Sequence, residues 1–327
     1  MAKGSAVWQA AVAAIAVTFA PGVAAQEWKP AKPVELIATN APGGGSDRIG
    51  RLMIKIMQDR KLVPTAVNLV NKPGGGSAIA YNYLNQFPGN GHFLVMGSRS
   101  FLTNHIAGHG PNPADFTPVV HLFDEYIAVT VKPVSPIRTG KDLLSFMRKD
   151  PTAISFGIAT SLGAPNHSGV AAPFKAAGID IKKMKNVIFA SGGAASTALM
   201  GGHVDVVPIS VAFATSLFRN GQVRIIAITA PQRLGGDLKD VPTWKEQGAD
   251  AVVAQWRALI GPKGMTPEQI AYWENTMKRL MEHEDWKNEM ESNFWRANFQ
   301  GSAATRKFLA RDEQDARAFL NELGLAK

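Results

Sequence analysis

Short β-branched runs alternate with amphipathic helical patterns along almost the whole chain, and this alternation constrains the fold more than any other feature. Strand patterns fall at 34–39, 66–70, 93–96, 127–131, 154–157, 187–189, 204–207, 223–228 and 258–260. Between them lie helical stripes. Ile49, Leu52, Met53, Ile56 and Met57 occupy one helix face, as do Ile79, Tyr83, Leu84 and Phe87, and then Leu143, Leu144 and Met147. Such alternation predicts an α/β protein with mostly parallel sheets flanked by helices. Thr266-Pro267-Glu268-Gln269 is a capping box with proline at the first helical position, and Ser302 opens a last long helix.

So many strands exceed one compact sheet, and 327 residues suffice for two cores. The stretch Val131-Lys132-Pro133-Val134-Ser135-Pro136 is a candidate first crossing between lobes, and the turn-rich segment 231–248 is a candidate return. The predicted division is a signal peptide over 1–25, lobe 1 over 26–126 plus 248–327, and lobe 2 over 127–247. The leader reading rests on Lys3, an apolar run from Ala6 to Ala20, and small residues Val23-Ala24-Ala25 before Gln26. A membrane anchor is the rival reading, but the run is shorter than the ~20 residues that span a bilayer and contains Gln9 and Thr18. The mature chain is therefore expected to be exported and soluble, in the periplasm.

Composition closes several routes. Without cysteine there is no disulfide framework, thiolate metal site or cysteine nucleophile. The formal net charge of +9 becomes +8 without Lys3, yet the basic residues are scattered rather than clustered. A nucleic-acid or other polyanion surface is accordingly not expected.

Four turns carry the chemistry. Asn40-Ala41-Pro42-Gly43-Gly44-Gly45-Ser46-Asp47 follows one strand and opens a helix, and Asn71-Lys72-Pro73-Gly74-Gly75-Gly76-Ser77 follows the next. Ser191-Gly192-Gly193-Ala194-Ala195-Ser196 and Thr160-Ser161-Leu162-Gly163-Ala164-Pro165-Asn166-His167 are the others. Glycine lets a backbone approach a ligand closely, and a helix amino terminus offers unpaired N–H groups with partial positive charge. Open α/β sheets place ligands at the carboxyl ends of strands, so these turns suit an anion. No turn has the Gly-Lys-Ser/Thr of a P-loop or the dinucleotide fingerprint. A small carboxylate fits the amide and hydroxyl donors best.

These residues resemble the Bug/TctC family, the extracytoplasmic solute receptors of tripartite tricarboxylate transporters. The similarity is carried by Ala41-Pro42-Gly43-Gly44-Gly45-Ser46-Asp47 and Asn71-Lys72-Pro73-Gly74-Gly75-Gly76. It continues through Gly97-Ser98, Phe156-Gly157, Pro165-Asn166-His167, Gly192-Gly193-Ala194 and Gly201-Gly202-His203-Val204-Asp205. Asp240-Val241-Pro242-Thr243, Trp256-Arg257 and Gly261-Pro262-Lys263-Gly264 complete it, in order over nearly the whole mature chain. The resemblance implies a two-lobed type II periplasmic binding protein, or Venus flytrap. It implies a carboxylate gripped between the turn Ala41 to Ser46 and a counterpart formed by Thr160, Ser161 and Gly192 to Ala194. Family ligands are di- and tricarboxylates, aromatic acids, amino acids and nicotinate-type compounds, delivered to a two-component membrane permease. A monomer is expected.

The sequence departs from the family pattern in places. Asn40 stands where phenylalanine is usual, which adds a donor and removes an aromatic wall. Ala190-Ser191 replaces a Tyr-Lys pair, losing a cation, and Ile209-Ser210 replaces an Asp-Asn pair. Loss of that acid argues against an α-amino ligand. Pro173 falls inside the helix after the Thr160 turn, which is expected to start late or kink.

The candidate ligand residues are thus Asn40, Ala41, Gly43, Gly44, Gly45, Ser46, Ser98, Arg99, Thr160, Ser161, His167, Gly192, Gly193, Ala194 and Ser210. Arg99, at a strand end, could fork onto a second carboxylate, with a solvated surface arginine as the plain alternative. Arg257 beside Trp256 has a similar balance against a structural stack. His167 suits a hydrogen bond at the helix start better than a base, and Asp47 suits complementing its helix terminus. His105 and His109 have metal-like spacing without an acidic partner, so no metal or cofactor is expected. An enzyme acting on a small carboxylic acid is the alternative function. Ser98, His167 and Asp205 could be drawn as a triad, but no Gly-x-Ser-x-Gly elbow supports it and no catalytic residue is assigned.

Overall fold

The computed structural model describes Met1 and residues 27–327, so the leader expected over 1–25 falls outside the described residues apart from Met1. The alternation begins as expected, with β1 (Val34–Ala38), α1 (Gly45–Asp59), β2 (Val67–Asn71), α2 (Ala78–Leu84), β3 (Phe93–Gly97) and α3 (Ser100–Ile106). β4 (Phe116–Val131) is then 16 residues long and buried almost throughout. There follow α4 (Gly140–Lys149), β5 (Ser155–Ala159), α5 (Pro165–Ala176), β6 (Lys185–Phe189), α6 (Gly192–Met200), β7 (Val206–Ser210), α7 (Val211–Arg219) and β8 (Arg224–Ile228). The chain returns through β9 (Ala254–Pro262), α8 (Pro267–Met281), α9 (Glu284–Ser292), β10 (Arg296–Gly301) and α10 (Ser302–Glu322).

The parallel pairings are those of the strand–helix units: β1 with β2 and β3, and β5 with β6 and β7. Five further pairings are antiparallel, β9 with β3 and β4, and β4 with β7, β8 and β10. The expectation of mostly parallel sheets is corrected to mixed ones. A crossover helix returns the chain to run parallel, whereas β4 and β9 pass between the two halves in opposite directions and pair antiparallel.

β4 belongs to both halves. Phe116 to Tyr126 pair with β9, while Ile127 to Val131 pair with β7. The chain therefore changes sheet between Tyr126 and Ile127, within a strand, and the proline-rich segment 131–136 lies beyond that point. Thr229 ties this crossing to the return. Its fully buried hydroxyl accepts from the Ile127 amide at 2.9 Å and donates to the Val253 carbonyl at 2.6 Å. The Thr229 carbonyl also accepts from the Val253 amide at 3.1 Å.

Each sheet is packed on two faces. In the first half, Ile49, Met53, Ile56 and Met57 of α1 share a core with Trp273 and Trp286, and the opposite face holds Tyr81, Phe101 and Trp256. In the second half, Phe156, Phe174 and Trp244 form one face, and Leu199, Val207 and Ile225 the other. The capping box expected at Thr266 and Gln269 is formed. α5 neither starts late nor breaks at Pro173. Proline cannot donate to the carbonyl four residues before it, Gly169, and the Trp244 indole donates to that carbonyl instead at 3.2 Å.

Candidate functional site

Strand direction decides where the turns lie. Gly97, the carboxyl end of β3, pairs with Ala258, close to the place where Ala254 meets Tyr126 at the crossing. Ser210, the carboxyl end of β7, pairs with Ile127 on the other side of the same crossing. β1 is parallel to β3, and β5 and β6 run with β7, so the carboxyl ends of both sets point toward the crossing from opposite sides. The turns after β1, β3, β5, β6 and β7 all open toward the space between the halves.

In the turn before α1 much of the donor capacity is spent internally. The Gly43 amide donates to Asp47 Oδ2 at 2.9 Å, the Gly44 amide to the Ala41 carbonyl at 3.0 Å, and the Ser46 amide to Asn40 Oδ1 at 3.1 Å. Ser46 is fully buried, and its hydroxyl accepts from the Asn40 amide and donates to Asn40 Oδ1. The amides of Ala41 and Gly45, both exposed, have no partner among the described residues. Asn40 therefore acts first as a brace, with only Nδ2 left over. Burial works against ionisation of Asp47, but hydrogen bonds from Arg51, the Gly43 amide and Asn71 outweigh it and hold the carboxyl below its usual value. Asn71 also donates to the Asn40 carbonyl at 2.9 Å, so the second glycine turn buttresses the first. That second turn opens only a short 3₁₀ turn before α2, with Asn104 bonded to the Gly76 carbonyl.

On the other side, Ser191 caps α6 by accepting from the Ala194 amide at 3.2 Å. Ala194 is thus no free donor, while the Gly192 and Gly193 amides have no partner among the described residues. Thr160 has φ +68, and the Ser161 amide donates back to Ala159 at 3.0 Å, the bond of a three-residue turn. The Thr160 amide donates to Phe189 at 2.8 Å, so this turn offers its hydroxyls rather than those amides. His167 is sealed inside. Its Nδ1 accepts from the Gly163 amide at 3.0 Å, and burial lowers its pKa to about 4, so the ring is neutral and shapes the turn.

Ser98 follows β3 and Ser210 ends β7, and their hydroxyls find no partner among the described residues. Arg99 is occupied. Its Nε lies 3.0 Å from Asp312 Oδ1 of α10, an ion pair without hydrogen-bond alignment, and Asp312 also accepts from Trp256 Nε1 at 2.7 Å. Burial raises the Asp312 pKa, and Arg99 and Trp256 oppose that rise. α10 continues into the second half, where Leu320 packs against Gly163 and Glu322 pairs with Lys175.

Two residues outside the predicted set stand at the crossing. Arg257 of β9 forms a buried ion pair with Glu125 of β4. Arg257 Nη2 also lies 3.2 Å from the position a Cβ on Gly45 would take. The order Trp-Arg makes Arg257 visible in the sequence, whereas Glu125 carries no local signal. A cavity of about 880 Å³ lies elsewhere, between the α9–β10 turn and the loop after β8, lined by Tyr126, Leu234, Phe294 and Arg296. It does not include the glycine turns. Among the described residues no group of three or more His, Asp or Glu could hold a metal ion, and no helix is long and apolar enough to cross a membrane.

Residues 53–325 match the family model described as the tripartite tricarboxylate transporter family receptor. The chain belongs to that receptor family. The receptor is 22% identical over 322 residues to the UPF0065 protein of the gbd 5′ region of Cupriavidus necator, covering 97% of this chain and 95% of the relative. It superposes on an R. palustris protein solved with adipate at a TM-score of 0.81 and 21% identity, covering 91% of this chain and 99% of that one. MatC from Rhodopseudomonas palustris, with bound malate, gives 0.72 and 21% over 91% of this chain and 100% of that one. The receptor has the two-lobed α/β fold of periplasmic binding proteins, and its family and neighbours are solute-binding receptors rather than enzymes.

Proposed function

We propose that the receptor captures a small carboxylic acid, a di- or tricarboxylate or an aromatic acid, between lobe 1 (26–126 with 248–327) and lobe 2 (127–247). The observation that carries this reading is the convergence of unpaired amides: Ala41 and Gly45 at the start of α1, and Gly192 and Gly193 at the start of α6, all on turns directed toward one crossing. The lobe division is supported by the change of sheet within β4 and its tie through Thr229. Neighbours bound to adipate and malate support a carboxylate ligand.

Each charge-assisted amide contact contributes about 1.5–3 kcal/mol. A handful reaches the roughly 8 kcal/mol of micromolar affinity. Bending at the crossing would close the lobes over the acid, and the closed monomer would dock on a two-component permease of the tripartite tricarboxylate type. Residues 1–25 would direct export to the periplasm. Titration calorimetry of ligand-stripped protein against a broad acid panel tests the reading. At least one carboxylate should bind at micromolar or better, and an entirely silent panel would overturn it.

A further inference from the structure

Arg257 stands where electrostatics would ordinarily exclude a cation. Its Nη2 is 3.2 Å from the Cβ position of Gly45, the first residue of the 15-residue helix α1. Unpaired amides and the positive end of the helix dipole gather there, and a neighbouring cation is disfavoured. The guanidinium is 7% exposed, and its Nε is buried without a partner. Glu125 supplies the one full negative charge against it; Gln255, turned to accept, adds only a neutral oxygen 2.9 Å from Nη2. The other carboxylate of this helix start, Asp47, is committed to Arg51, the Gly43 amide and Asn71. Arg99 is held by Asp312.

Two positive poles therefore meet at the start of α1, and Glu125 is the one full negative charge paired with Arg257. We infer that Arg257 is the cation that reads a ligand carboxylate at the α1 turn, and that Glu125 is an internal anion with which this carboxylate competes. The inference rests on the receptor reading and narrows its ligand range by assigning a cation to one pole. Lobe 1 offers amides plus a guanidinium, while lobe 2 offers amides at Gly192 and Gly193 with an uncharged cap, Ser191. A dicarboxylate uses both poles, and a monocarboxylate leaves one unmet. The preferred ligand is a dianion.

The test is calorimetric titration of ligand-stripped wild type, Arg257→Gln, Arg257→Lys and Glu125→Gln with succinate and adipate, and with butyrate and hexanoate as single-charge counterparts. Thermal melts confirm folding. Arg257→Gln should weaken the dicarboxylates by about tenfold or more while changing the monocarboxylates less. Arg257→Lys should recover part of the loss, because a point charge remains without the planar fork. Glu125→Gln should tighten the dicarboxylates. If Arg257→Gln does not fold, the lysine and Glu125→Gln variants decide. The inference is overturned if wild type binds acids but the Arg257 variants bind them equally well, or if Glu125→Gln weakens every acid alongside Arg257→Gln, marking a purely structural pair. Wild type that binds no acid overturns the receptor reading and this inference together.

Discussion

The Trp244 indole donates to the Gly169 carbonyl across 3.2 Å, replacing the amide that Pro173 lacks. A side chain 71 residues beyond the proline thus keeps α5 continuous under the Thr160 turn. Trp244→Phe removes the donor and leaves a buried carbonyl unpaired, at a cost of about 1–3 kcal/mol beyond the small loss of volume. Pro173→Ala in the Trp244→Phe background should return part of that stability, since the alanine amide can reach Gly169. Urea unfolding of Trp244→Phe, Pro173→Ala and the double variant measures the coupling; strictly additive effects would remove the compensation.

Thr229 holds the two lobe crossings through one hydroxyl. Thr229→Val keeps the shape but strands the Ile127 amide and the Val253 carbonyl in a fully buried place. A loss of about 2–4 kcal/mol is expected from two unsatisfied groups. Thr229→Ser should keep most of the stability. Equal loss in both variants would point to methyl packing instead.

His167 gives a pH dependence of definite sign. Its pKa falls from 6.5 to about 4 because burial penalises the charged ring. Between those values the unfolded chain binds a proton that the folded protein refuses, so stability declines as pH drops from 6.5 toward 4. At about 1.4 kcal/mol per unit the loss approaches 3 kcal/mol. His167→Asn, which can still accept from Gly163, should flatten the slope in that window. An unchanged slope would assign it to the carboxylates.

Gly192 allows one amide to be deleted with little disturbance. It is the first residue of α6, Ser191 before it is extended at φ −156 and ψ 164, and a Cβ would meet Ile209 at 3.4 Å. Proline suits the first helical position, and an extended residue suits the position before it. Gly192→Pro should leave the melting temperature nearly unchanged and weaken acid binding by about tenfold, the worth of one amide to a charged oxygen. Unaltered affinity would take the α6 terminus out of the site.

The fold was legible wherever one element obeyed one period. The stripe of α1, the Thr266 cap and the strand ends before the glycine turns stand in the sequence as they do in the structure. Most of β4 was hidden, because Thr117-Pro118, His121 and Asp124-Glu125 interrupt its apolar pattern. His121 and Asp124 pair with each other at 2.9 Å, but Thr117 and Glu125 are satisfied only by distant partners: the Pro262 carbonyl takes the Thr117 hydroxyl at 2.7 Å, and Arg257 takes Glu125. β10, Arg-Ala-Asn-Phe-Gln-Gly, shows no strand period and forms because β4 offers a free edge. At the candidate site, residue types pointed to turns rich in donors but not to which donors remain free. Asn40 and Ser191 could be read as contacts for a ligand as easily as the braces they are, and Arg99 gave no sign of Asp312. Such assignments depend on pairings between residues far apart in the chain.

The sharing of β4 also sets an order in time. Phe116 to Tyr126 are synthesised early, yet their ladder partners in β9 and β10 come more than a hundred residues later, after β5 to β8 of the second half. Pairings of such separation carry a large loop-closure cost and form slowly. The second half can assemble its remaining strands beforehand, against the far end of β4. The half that holds the first strands of this protein is therefore the last to be completed.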